Sequence, residues 1–217
     1  MKKILILIIL FSIALFLIKK KEMTFRQSIL KLVYPLIMLK GKLMGNAKDI
    51  QKNTSNALPV ETVFTLNIQL NNGSNITLEQ FRGKKILLVN TASDCGYTGQ
   101  FEDLEKLHQR YQNKLVIIGF PANDFKEQET KEDDAIAAFC KLNYGVSFLL
   151  AKKTQVVKGG GQHPLFNWLS HAEKNGWCSQ APIWNFSKYL VNESGTLTHY
   201  FAPSVSPLDA TVIETID

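Results

Sequence analysis

A three-layer α/β/α sandwich is the fold class this sequence predicts. Three observations carry the expectation. Two nearly continuous apolar runs, at 85–90 and 115–120, have the character of strands buried on both faces. Helix-spaced apolar residues follow each run, and Asn/Gly-rich turns close a hairpin at either end of the region.

The chain has 217 residues and a net charge of +6, but the charge is unevenly placed. Through Lys52 there are 11 Lys/Arg against 2 Asp/Glu, whereas the remainder has 14 against 17. Residues 4–18 are apolar except for Ser12, with Lys2–Lys3 before them and Lys19–Lys21 after. No small-residue cleavage site follows, so the run reads as an uncleaved anchor rather than a secretory signal. Fifteen helical residues reach about 23 Å against a hydrocarbon core of about 30 Å, a mismatch that snorkelling lysines and local thinning can absorb. Residues 25–44 mix Ile29, Leu30, Leu32, Val33, Leu36, Ile37 and Leu39 with Arg26, Lys31, Lys40 and Lys42, and Pro35 is expected to interrupt any helix. This is the composition of a basic interfacial segment on an anionic membrane, the alternative being a segment packed on the globular domain. Base-stacking aromatics do not alternate with the basic residues, which argues against nucleic acid. The expected organisation is a membrane anchor and amphipathic segment over 1–45, a linker over 46–59, and one globular domain over 60–217. The lysines after the apolar run favour an inner-membrane protein of a bacterium whose domain faces the cytoplasm.

Within the domain, 63–69 and 75–78 form a hairpin about Asn71-Asn72-Gly73-Ser74. The strand at 85–90 leads to a helix over 98–112, with Phe101, Leu104, Leu107 and Tyr111 on one face. The strand at 115–120 leads to a helix over 133–142 carrying Ile136, Phe139 and Cys140. A third helix starts at His163 or Pro164, where proline does least harm. A second hairpin, 187–191 with 196–201, turns at Asn192-Glu193-Ser194-Gly195, and a last helix starts near Ser206. That order fits a thioredoxin-like sandwich.

Cys95, Cys140 and Cys178 are the three cysteines. Three cannot close a disulfide framework, and neither CxxC nor zinc-ligand spacing is present, so reactive thiol chemistry is the remaining reading. Cys95 follows a buried strand and precedes a helix. A helix N-terminus stabilises a thiolate, which is the nucleophilic form of cysteine.

Leu88-Val89-Asn90-Thr91-Ala92-Ser93-Asp94-Cys95-Gly96-Tyr97-Thr98 resembles the signature around the redox residue of glutathione peroxidases. Gly119-Phe120-Pro121-Ala122-Asn123-Asp124-Phe125-Lys126-Glu127-Gln128-Glu129 resembles their second signature, and Trp184-Asn185-Phe186-Ser187-Lys188-Tyr189-Leu190-Val191 the third. Phe139-Cys140-Lys141-Leu142-Asn143-Tyr144-Gly145-Val146 is similar to the helix that carries the resolving cysteine in thioredoxin-dependent members, and Phe201-Ala202-Pro203 to the closing motif. The resemblance runs from about Val60 to the C-terminus. It departs from the family pattern at Ala122, often cysteine; at Asp124, Lys126 and Thr130, usually Gln, Gly and Pro; and at Gly99, commonly Pro.

The resemblance implies a peroxidase with the tetrad Cys95, Gln128, Trp184 and Asn185. Cys95 attacks a peroxide oxygen to give a sulfenic acid and releases water or an alcohol. The three partners offer neutral N–H donors to sulfur and to the departing oxygen. Cys140 takes the resolving position, Cys178 is its rival, and thioredoxin or glutathione is the reducing co-substrate. No bound cofactor or metal is expected. Arginine forks suited to the carboxylates of glutathione are scarce, Arg110 being the single one after Cys95, which favours thioredoxin. The short connection 171–184 implies a monomer with an open face for a protein reductant. Two alternatives stand beside this: a glutathione-dependent peroxidase without Cys140 resolution, and a sensor relaying peroxide oxidation to a partner protein. The apolar N-terminus points to lipid hydroperoxides as substrates alongside hydrogen peroxide.

Overall fold

A computed structural model describes residues 23–44 and 49–217. The apolar run at 4–18 lies outside the described residues; among those described, no helix is long and apolar enough to cross a membrane.

The central sheet has six strands. In chain order the strands of the fold are β1 (Ile50–Lys52), β2 (Asn67–Gln69), β3 (Asn75–Thr77), β4 (Lys85–Thr91), β5 (Leu115–Pro121), β6 (Leu149–Leu150), β7 (Lys188–Val191) and β8 (Leu197–Phe201). They pair in the order β1-β8-β7-β4-β5-β6, with β2 and β3 forming a separate hairpin. β4 and β5 run parallel over seven residue pairs from Lys85↔Leu115 to Thr91↔Pro121, while β7 pairs antiparallel on the other edge of β4. β4 is therefore flanked on both edges and covered on both faces, which is why its sequence is almost wholly apolar.

Helices α1 (Phe25–Met44), α2 (Gln100–Tyr111), α3 (Asp133–Tyr144), α4 (Pro164–Leu169), α5 (Ala172–Asn175) and α6 (Ala210–Ile216) complete the fold. One core layer joins Phe101, Leu104 and Leu107 of α2, Ile136, Phe139 and Cys140 of α3, and Val212 and Ile216 of α6 to Leu87 and Val89 of β4. The opposite layer joins Leu165, Phe166 and Trp168 of α4 to Ile86, Leu88, Tyr189 and Val191. Alternate residues of β4 thus serve opposite layers, as the pleat requires. His163 caps α4, its Nδ1 accepting from the Leu165 N–H at 3.1 Å, with Pro164 in the first turn.

Several expectations need correction. The segment 46–59 is not simply a linker: its Ile50–Lys52 pairs with β8 as the edge strand, from Ile50↔Phe201 to Lys52↔His199. Pro35 does not interrupt α1, which runs through it. It sits on the exposed side, where water can satisfy the carbonyl one turn back. Nor does the whole of α1 face outward. Gln27 and Ser28 are buried, and Lys31, Tyr34, Ile37, Met38 and Gly41 are half-buried at helical spacing, so this face packs on the domain. Phe25, Leu36, Leu39, Leu43 and Met44 remain exposed on the other side.

Candidate active site

Cys95 lies in the turn between β4 and α2. The sequence places it just before a helix, but α2 starts only at Gln100. A local donor serves the sulfur instead: the Tyr97 N–H reaches Cys95 Sγ at 3.4 Å. Thr98 shapes the turn, its hydroxyl accepting from the Cys95 N–H at 2.9 Å while lying 2.8 Å from the Cys95 carbonyl.

Trp184 and Asn185 lie close enough to the thiol for the indole and the amide to lower its pKa. Asn185 Nδ2 also donates to Gln128 Oε1 at 3.0 Å. Gln128 therefore joins the group through Asn185, its carbonyl accepting the bond. Trp184 packs on Phe125 with ring centroids 5.5 Å apart. All four sequence-predicted tetrad residues are thus brought together.

Burial and hydrogen bonding oppose each other at the thiol. Cys95 is fully buried, and desolvation pushes its pKa up; the Tyr97 N–H, the Trp184 indole and the Asn185 amide pull it back, while Asp94 opposes them. In this closed arrangement burial wins, so the thiolate depends on neutral donors rather than on a counter-ion.

Residues not singled out in the sequence hold the site in place. Asn90, buried in β4, clamps the 184–187 turn: its Nδ2 donates to the Trp184 carbonyl at 3.2 Å and its Oδ1 accepts from the Ser187 N–H at 3.0 Å. The Phe186 N–H adds a bond to the Asn90 carbonyl at 2.6 Å. Glu129, also fully buried, accepts from both the Ser93 N–H and the Ser93 hydroxyl at 2.8 Å. Lys131 Nζ donates to that hydroxyl at 2.9 Å. Burial raises the Glu129 pKa, and the Ser93 bonds and Lys131 oppose the rise. The legible signal for Asn90 was a polar residue inside an apolar strand, since buried amides require partners. Lys126 and Glu127, just before Gln128, take positive φ values of 53° and 52°, so a lysine adopts the left-handed conformation where the family usually has glycine.

Cys140 is fully buried in the same core layer as Cys95, and the two thiols are not bonded. Burial raises its pKa strongly; the Glu129 charge adds to the rise and Lys131 opposes it. Cys178 belongs to the opposite layer, so the sheet separates it from Cys95. Its backbone N–H is held by Asn175 Oδ1 at 2.7 Å, and burial pushes its pKa up to about 11. Among the described residues no group of His, Cys, Asp and Glu could hold a metal ion.

A buried thiol at the end of a central strand, met by neutral N–H donors on a thioredoxin-like sheet, fits the class of thiol peroxidases. The comparisons agree. The family model for glutathione peroxidase matches residues 63–170. The glutathione peroxidase homolog BsaA of Staphylococcus epidermidis is 42% identical over 149 residues, 68% of this chain and 93% of that protein. A glutathione peroxidase of Lactococcus lactis subsp. cremoris is 42% identical over 137 residues, 63% of this chain and 86% of its own. The crystal structure of Trgpx in apo form superposes with a TM-score of 0.55 at 30% identity, covering 72% of this chain and 96% of that one. The chain belongs to the glutathione peroxidase family and is a peroxidase.

Proposed function

We propose that this chain reduces hydrogen peroxide and organic or lipid hydroperoxides through a Cys95 sulfenic acid. Cys140 resolves it to a disulfide and thioredoxin reduces that disulfide. The observation that supports the peroxidatic step is the convergence of the Trp184 indole, the Asn185 amide and the Tyr97 N–H on one buried sulfur. In the reaction the peroxide O–O bond breaks, one oxygen joins sulfur, and the other leaves as water or alcohol carrying the thiol proton. Neutral donors stabilise the thiolate and the departing oxyanion alike without retaining a neutral product. Cys140 suits resolution because it shares a core layer with Cys95, whereas Cys178 lies across the sheet. Its helix must open first, since neither thiol is exposed.

The apolar run at 4–18 and the exposed apolar side of α1, with Lys40 and Lys42 beside it, support attachment to an anionic membrane surface. The lysine distribution favours a cytoplasmic orientation of the domain, and membrane attachment would place it close to oxidised acyl chains. The rest of the chain acts as a monomer.

The test is peroxide-dependent NADPH oxidation by the full chain, coupled in parallel to thioredoxin with its reductase and to glutathione with its reductase. Turnover with thioredoxin that disappears in both Cys95→Ser and Cys140→Ser is the expected result. Glutathione-driven turnover that survives Cys140→Ser would return Cys140 to a packing role.

A further inference from the structure

Helix α1 lies outside the stretch matched by the family model, yet it touches both halves of the redox centre. Towards Cys95, Gln27 Nε2 donates to the Ser93 carbonyl at 3.0 Å in a buried contact, and Arg26 is ion-paired with Asp94. Farther along, the Tyr34 hydroxyl donates to Asp103 of α2 at 2.6 Å, and Ile37 packs over Gly96. Towards Cys140, Lys31 Nζ donates to the Asn143 carbonyl at 2.8 Å and sits 4.3 Å above the Tyr144 ring. Asn143 and Tyr144 form the last turn of α3, immediately beyond Cys140.

Gly99 carries the imprint of this contact. Its φ of −58° and ψ of −21° suit any residue, so backbone freedom does not explain a glycine there. A Cβ at that position would instead fall 2.4 Å from the Tyr34 ring. The missing side chain makes room for α1.

We infer that α1 is a latch whose Gln27, Lys31 and Tyr34 are positioning residues, holding the Cys95 turn and the end of the Cys140 helix closed until the latch releases. Released, the last turns of α3 unwind and Cys140 reaches the sulfenic acid. The S–S bond forms, the S–O bond of Cys95 breaks, and the hydroxyl leaves as water with the Cys140 proton. One sulfur is reduced and the other oxidised, so no further reactant is needed. This use of the latch rests on the proposed resolving role of Cys140.

The experiment uses the full chain with Gly99→Ala, Lys31→Met and, as a conservative control, Lys31→Arg. Iodoacetamide labelling of Cys140 in the reduced protein is followed by mass spectrometry. Sulfenic acid and disulfide formation after one equivalent of hydrogen peroxide are timed separately. Losing one such contact should raise Cys140 labelling and disulfide formation by about 5- to 10-fold in Gly99→Ala and Lys31→Met, with sulfenic acid formation changed by less than about twofold. Lys31→Arg should restore the slow rates. Unchanged Cys140 labelling in both variants overturns the latch. So does an equal acceleration at Cys178, which would mean general loosening. Faster labelling without any disulfide would uphold the latch and remove Cys140 from resolution.

Discussion

Cys95 and Cys140 occupy one core layer and are equally inaccessible, yet their surroundings equip them for different work. Cys95 is met by one backbone and two side-chain N–H donors, whereas the influences on Cys140 beyond burial are the distant charges of Glu129 and Lys131. Burial raises both pKa values, so it does not separate a reactive sulfur from a silent one. Donors aimed at sulfur do, because they stabilise the thiolate selectively. Cys140 lacks them, so the proposed resolving role would require it to move, whereas the donors at Cys95 are already in place.

The largest effect should follow from removing that equipment. Trp184→Phe and Asn185→Ala should each slow the reaction of Cys95 with peroxide by about 100-fold, the usual consequence of losing one oriented donor. Stopped-flow kinetics would show this, with Cys140 labelling unchanged. The pH profile should sharpen the result: with fewer donors the thiol pKa climbs further, so the alkaline rise in rate moves to higher pH.

A smaller effect is expected at Cys140. Glu129→Gln removes a negative charge that disfavours the thiolate, so the Cys140 pKa should fall. The pH dependence of its alkylation should shift toward neutral by up to about one unit. A shift in the opposite direction would mean that loosening of the Ser93 turn outweighs the charge.

Least affected should be turnover in Cys178→Ala, because the sheet stands between this residue and the site. Activity should stay within about twofold, with roughly 1 kcal/mol lost from urea unfolding as a small buried group is removed. A large loss of activity with normal stability would restore Cys178 as a candidate redox partner.

Much of this was readable from the residues. Buried strands at 85–90 and 115–120 stood out because a central parallel pair needs apolar side chains on both faces. Cys95, Trp184 and Asn185 carried recognisable motifs. β1 was not legible: Ile-Gln-Lys has no pattern of its own, and its strand exists through pairing with β8. The docking of α1 was hidden for a related reason. Apolar periodicity shows that a helix has a face to bury, but not whether lipid or protein covers it. At Gln128 the carbonyl accepts from Asn185, and because a side-chain amide carries both a donor and an acceptor, that bond does not use the N–H expected to face the peroxide.

The neutrality of the donors around Cys95 has a consequence for ionic strength. Dissolved ions screen charges far more than N–H groups turned toward a buried sulfur, so the donors' contribution at Cys95 should persist in brine while the opposing Asp94 charge is weakened. The Arg26–Asp94 pair beside it is partly open to solvent and does feel the surrounding ions. Added salt therefore distinguishes the neutral donors at the sulfur from the charged contacts around it, without a single residue being changed.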